Sequence, residues 1–165
     1  MINLTIRKTT IADIPRLQVI FDIARRFMAE TGNPSQWTKG YPSCEQILED
    51  IENGDSYVVQ TADGNIVATF VLRGGADPTY EVIYEGRWLN DNPYATIHRI
   101  ASTGEQKGIF SLALQFALQQ YDTIRIDTHR DNKVMRNAIE KAGFKYCGII
   151  HCWNGEERVA YQYVR

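Results

Sequence analysis

The chain is short of cysteine, of long apolar runs and of excess charge. Its three cysteines, Cys44, Cys147 and Cys152, are an odd set with no CxxC spacing. That argues against a disulfide framework or a structural zinc site, and it leaves Cys147 and Cys152, in an expected strand, as small core residues. Lys and Arg number 18 against 20 Asp and Glu, a net charge of -2 with a pI near 5.9, so no bulk electrostatic footprint favours nucleic acid or an anionic membrane. No apolar stretch approaches the ~20 residues of a membrane span. The segment Met1-Ile2-Asn3-Leu4-Thr5-Ile6-Arg7 lacks the basic start and long apolar core of a signal peptide, so a cytoplasmic protein is expected. Repeats, low-complexity tracts and linkers are also missing. With 165 residues and 44% hydrophobic content, the chain is expected to form a single domain, 1–165, that buries roughly two thirds of its unfolded surface.

What is present is an alternation of strand and helix signals. Residues 2–8 predict a first strand; Ile14, Leu17, Phe21, Ala24 and Met28 then recur at helical spacing, behind a capping-box pair, Thr10 and Asp13, with Pro15 tolerable near the first turn. A turn-rich loop carrying Trp37 and Tyr41 follows, then a second capping pair, Ser43 and Gln46, opening a helix that stops at Gly54. Asp63-Gly64 between two apolar runs predicts a hairpin, so strands two and three are antiparallel. Residues 74–93 read as mostly loop, with a short irregular element around Tyr80 to Trp88. Residues 94–102 predict a strand and 108–120 a helix, with Leu112, Leu114, Phe116 and Leu118 mostly inward. A strand–helix unit and a closing hairpin about Asn154-Gly155 complete a mixed sheet of about seven strands with helices on both faces.

Two segments carry the chemistry. In the first, Thr123 to Asp127 alternate at strand period, and Val134, Ala138 and Ile139 recur at helical spacing. The switch falls near Asp131 or Asn132, either of which would cap the new helix, and Gly143 is the expected stop. In the second, Ile100 to Ser102 run into Thr103-Gly104-Glu105-Gln106-Lys107-Gly108 and a helix start. Gly108 permits close approach of backbone to ligand, and N–H groups at a helix start suit a phosphate. If the two strands pair in parallel, both mouths lie side by side at one sheet edge.

These two segments and the order of elements resemble the GNAT superfamily of acetyl-CoA-dependent N-acyltransferases, from end to end of the chain. Asn132, Met135 three residues on, and Gly143-Phe144 before the next strand match the family's second cofactor motif. The joint presence of His98-Arg99-Ile100-Ala101 and Asp127-Thr128-His129 is similar to a set of bacterial members. At the family's pyrophosphate loop this chain keeps Gly108, but has Glu105 where a basic or amide residue is usual and Phe110 where a small one is. The resemblance implies an α/β fold whose mostly antiparallel sheet contains a splayed parallel strand pair, with acetyl-CoA (CoA) as cofactor. Ile100, Ala101 and Ser102 would then lie along the pantetheine arm. Lys107, Gly108, Ile109, Phe110 and Ser111 would hold the pyrophosphate. Asn132 would bond the pantetheine amides, with Met135 and Arg136 flanking; core packing is the other reading of Met135.

The implied reaction is acetyl transfer to a primary amine of a small molecule or peptide, with formation of a homodimer left open. A CoA-binding module of the same fold with little turnover is the alternative. An amine must lose a proton before attacking a thioester, and the leaving thiolate benefits from an acid. The family's tyrosine acid falls on Ile139 here. Alternate residues His98, Thr96 and Tyr94 should share one face of their strand, which makes His98 the candidate base, with Tyr94 beside it as a second catalytic candidate. A histidine hydrogen-bonded within the sheet is the competing reading. Trp37 and Tyr41, with His129 at the mouth of the splay, are the candidate acceptor-binding residues; equally, Trp37 and Tyr41 are anchors for their loop. Zinc chemistry through His98, His129 and His151 finds no supporting ligand spacing.

Overall fold

A computed structural model describes residues 3–38 and 40–165; Met1, Ile2 and Lys39, which include the expected strand start at Ile2, lie outside the described residues. The elements follow in the order β1 (Leu4–Lys8), α1 (Ile14–Glu30), α2 (Cys44–Glu52), β2 (Ser56–Thr61), β3 (Ile66–Gly74), β4 (Ala95–Ser102), α3 (Ile109–Leu118), β5 (Thr123–Thr128), α4 (Lys133–Lys141), β6 (Lys145–His151) and β7 (Glu157–Val164), with 3-10 turns at Ile11–Asp13 and Pro78–Tyr80. Seven strands form one sheet in the order β1-β2-β3-β4-β5-β7-β6. Every neighbouring pair is antiparallel except β4 and β5. Their ladder has only two rungs, Ala95 to Ile124 and Thr96 to Arg125.

The local signals explain most boundaries. The Thr10 N–H donates to Asp13 Oδ2 at 2.8 Å, and Arg7 grips the same carboxylate through both terminal nitrogens. Gln46 N–H donates to Ser43 Oγ at the start of α2, and Met135 N–H to Asn132 Oδ1 at the start of α4; each bond satisfies a first-turn donor that the helix itself leaves free. Gly143 ends α4 with φ +103°, a conformation that costs a side chain strain.

The two faces of the sheet bury different cores. On one face α3 and α4 cover Val59, Phe70, Ile97, Ile124 and Ile126, and the innermost helix residues are Ile109, Ala113, Leu114, Ala117 and Ile139. Leu114 lies in this core, and Leu112, Phe116 and Leu118, expected mostly inward with it, are partly buried and pack against it, Phe116 edge-on to Tyr57 and Phe70; side chains two apart diverge around a helix, and the alanines let it approach the sheet. On the other face α1 and α2 cover Val58, Ile66 and Ala101. The β5–β7–β6 half of that face is covered by residues 75–93. Tyr80 is fully buried there against Tyr94, Ile150 and Ala160, and Arg125 is sandwiched 4.1 Å from the ring centres of both Trp88 and Tyr94. Gly86 presses so closely on β6 that a Cβ there would collide with the Cys147 carbonyl oxygen.

Candidate active site

A cleft of about 480 Å³ opens between these two covers, where β4 and β5 part. Its cause lies in β4. Val71 faces His98 and Thr69 faces Ala101, so Phe70 alone opposes both Arg99 and Ile100. This is a bulge, and Arg99 takes it up with φ +46°, a left-handed conformation that costs a non-glycine residue roughly 1–2 kcal/mol. The bulge bends β4 away from β5 just past Thr96, leaving its edge without a β5 partner from Ile97 onward.

His98, Ile100, Asn132, Met135, Trp37 and Tyr41 line this cleft, together with Gln36, Asp77, Asp127 and Arg158. The expected shared face of β4 is observed: His98 and Tyr94 both reach Asp77. His98 Nε2 lies 3.2 Å from Asp77 Oδ2, and the Tyr94 hydroxyl accepts the Asp77 N–H at 2.7 Å. Tyr94 itself is buried behind the cleft wall. Burial pushes the Asp77 carboxyl up, but its bonds with His98 and with the hydroxyl and N–H of Thr79 outweigh that and hold it down to about 2. A permanent anion therefore stands behind the His98 ring.

Across the splay stands Asp127. Its Oδ2 accepts the Tyr80 hydroxyl at 2.6 Å, and burial pushes its carboxyl upward, opposed by the nearby His98, Tyr80 and Arg158. The same environment drives the Tyr80 hydroxyl well above its ordinary range, chiefly through burial, so the phenol is the donor in this bond.

One side chain not marked by any sequence pattern ties the site together. The Gln36 carboxamide oxygen accepts from Asn33 Nδ2, Thr128 Oγ1, the His129 N–H and Asn132 Nδ2 at 2.9 to 3.3 Å. The aromatic loop is thereby fastened to the β5–α4 mouth. Trp37 packs edge-on against Phe21 and Tyr41, and the Tyr41 hydroxyl accepts from Arg99; both aromatics thus anchor their loop while facing the cleft. His129 lies at the mouth, its Nδ1 accepting the Asp131 N–H and its ring pushed toward neutrality by burial and by Arg158.

The remaining expected positions fall outside this cleft. Arg136 donates to the Tyr161 hydroxyl and the Arg130 carbonyl. Ala101 is buried under α1 and Ser102 is half-buried at the strand end. Lys107, Gly108 and Ser111 are exposed at the start of α3, and Ile109 and Phe110 turn into the core, Phe110 against Phe144. The bulky residue in the loop therefore does not crowd its outer face. Gly108 has φ +78° with nothing within 4 Å of an added Cβ, and Glu105 points to solvent. Ile139 is fully buried and takes no part in the cleft. His151 stacks on Tyr84 instead of approaching His98. Among the described residues no group of three His, Cys, Asp or Glu side chains is placed to hold a metal ion, and no helix is long and apolar enough to cross a membrane.

No family model and no curated protein matches the chain. Solved structures do. A GNAT-family acetyltransferase from Streptococcus agalactiae is 33% identical, with 98% of this chain and 95% of that one aligned at a TM-score of 0.88. The fold is shared more distantly by spermidine N-acetyltransferase from Vibrio cholerae, solved with CoA and spermine, at 17% identity, 98% and 95% coverage and TM-score 0.63, and by the aminoglycoside acetyltransferase AAC(6')-Ib, solved with coenzyme A and kanamycin, at 16% identity, 99% and 95% coverage and TM-score 0.66. With a third of its residues identical to the streptococcal protein over nearly its whole length, the chain belongs to the GNAT family of acetyltransferases.

Proposed function

We propose that this protein, as one N-acetyltransferase domain over residues 1–165, moves the acetyl group of acetyl-CoA to a primary amine of a small molecule or peptide. The observation that carries the reading is the two-rung β4–β5 pair opening onto the Asp77-supported His98. Structures of the same fold with CoA and amines such as spermine and kanamycin support it.

The residues fit the cofactor. The unpaired edge of β4 at Ile100 to Ser102 offers backbone groups for an extended polar arm to add to, as a strand would. The open Gly108 and the free N–H groups at the start of the ten-residue α3 suit a pyrophosphate. Met135 and Asn132 line the cleft together with Ile100. When bound, acetyl-CoA supplies a thioester carbonyl open to attack by an amine.

His98 supplies the base. With Nε2 turned to Asp77, its Nδ1 carries the free lone pair, and the Asp77 anion stabilises the imidazolium that forms when the ring takes a proton. Tyr94 positions Asp77 through the backbone and does not itself react. Trp37 and Tyr41 border the acceptor's side of the cleft, where aromatic faces and carboxylates favour a cation, and His129 follows the lining residue Thr128 at its mouth.

The test pairs calorimetry of acetyl-CoA binding with an assay of free thiol released over a panel of primary amines. Cofactor binding with amine-dependent release is the expected outcome. Tight binding with no amine-dependent release would mean a CoA-binding module and not a transferase.

A further inference from the structure

We infer that Asp127 is the second proton-handling group of the reaction, the acid that returns a proton to the departing thiolate, facing His98 across the splay. The inference rests on the acetyl-transfer reading above.

The geometry comes from the register. Thr96 pairs with Arg125 in parallel, so two residues further along each strand His98 and Asp127 occupy corresponding places on the same face. That face is fixed independently by Arg125, which stacks on Tyr94, the residue two before Thr96. The strands part at this point, so the two side chains line opposite walls of one cleft instead of adjoining rungs. In the tetrahedral intermediate the amine nitrogen and the sulfur are separate substituents of one carbon, so the proton taken from nitrogen and the proton given to sulfur pass to and from different groups, and the cleft holds His98 on the β4 wall and Asp127 on the β5 wall.

The surroundings of Asp127 suit an acid. Tyr80 donates to Oδ2 and so claims that oxygen as an acceptor; the proton, when present, sits on Oδ1 of this cleft-lining residue. The titratable and charged groups around it are Tyr80 and Asp77 from the 3-10 turn and the residue before it, His98 from β4, Arg158 from β7 and Cys152 just past β6. Burial and Asp77 favour the protonated carboxyl, whereas His98, Arg158 and the Tyr80 bond oppose it. A carboxyl whose burial favours the protonated form has a proton to give to a thiolate, the conjugate base of an alkyl thiol with a pKa of about 8.5.

The step balances without a further reactant. The neutral amine nitrogen bonds to the acetyl carbon, and its surplus proton passes to His98 Nδ1. The carbon–sulfur bond breaks with its electron pair on sulfur, and the Asp127 proton joins that sulfur to give the free thiol. The cycle closes when His98 returns its proton, through water, to Asp127.

Asp127→Asn keeps the shape and the Tyr80 bond but has no proton to give. We expect kcat to fall by about 10²-fold or more with the amine KM little changed, and the decline of kcat on the alkaline side to disappear. Tyr80→Phe removes a bond that favours the anion, so that decline should move to higher pH; a purely structural role for the pair would lower stability without moving it. Infrared difference spectroscopy of the unliganded protein at neutral pH should show a protonated carboxylic acid band that Asp127→Asn abolishes. A raised amine KM with kcat retained would make Asp127 an ammonium anchor instead and overturn the inference, as would absence of that band. Should no amine be acetylated at all, the infrared result still decides whether Asp127 holds a proton, which separates failure of this inference from failure of the proposed function.

Discussion

Arg99 and Asp50 meet through two parallel bonds, Nε to Oδ2 at 2.8 Å and Nη2 to Oδ1 at 2.7 Å, with both side chains almost wholly withdrawn from water. This pair ties the bulge of β4 to the end of α2 and so holds the strained residue that opens the cleft. A fork-shaped guanidinium suits a two-point grip that an ammonium cannot copy.

Arg99→Ala should therefore cost about 3 kcal/mol, because Asp50 is left buried with Gln46 and the more distant Arg73 as its remaining partners among the described residues. Urea unfolding measures it. Arg99→Lys should recover less than half of the loss, and both variants should bind CoA more weakly as the bulge relaxes toward regular pairing. A stable Arg99→Ala protein with unchanged CoA affinity would separate the ion pair from the cleft.

His98→Ala should lower kcat/KM for acetyl transfer by about 10²- to 10⁴-fold and flatten the acidic side of its pH profile; an unchanged profile removes His98 from the chemistry. Asp77→Asn should retain part of the activity. The Asp77 carboxyl is held down to about 2 in the fold against an ordinary 3.8, so its contribution to stability is complete above the unfolded value and is lost as pH falls from about 4 to about 2. Thermal unfolding followed over that interval should show a steeper acid loss in the parent protein than in Asp77→Asn.

Gln36 makes a prediction about selectivity among substrates. Its carboxamide oxygen collects four donors from the aromatic loop, β5 and α4, so Gln36→Leu should loosen the loop bearing Trp37. We expect the amine KM to rise several-fold, with a loss of stability of about 1–3 kcal/mol from the orphaned donors. Steady-state kinetics with varied amine checks it; an unchanged KM would detach the loop from acceptor binding.

The cysteines differ sharply in reach. Cys44 is exposed, Cys147 buried, and burial pushes the Cys152 thiol up to about 11 although it borders the cleft. Timed alkylation at pH 8 read by mass spectrometry should modify Cys44 first and leave Cys152 nearly untouched, since the thiolate is the reactive form. Fast labelling of Cys152 would contradict the described burial.

How far the sequence foretold this site depended on distance along the chain. Asn132 capping α4 and the Asp63-Gly64 hairpin are local: the residue types that make them are adjacent and their physics is read directly. The same holds for His98 and Tyr94 sharing a face. Gln36, in contrast, acts on Asn132 across 96 residues, Asp50 on Arg99 across 49 and Tyr80 on Asp127 across 47; no spacing announces such partners. The bulge was hidden for a different reason. A left-handed residue in a strand is signalled by glycine, and here the position is an arginine held by its ion pair.

The most direct test of the account is a crystal structure with CoA bound. We expect the pantetheine arm to run beside Ile100 to Ser102 in the gap between β4 and β5, the pyrophosphate to sit on the N–H groups of 108–111, and the thiol to end between His98 and Asp127. A cofactor bound elsewhere, or a thiol remote from both side chains, would contradict it.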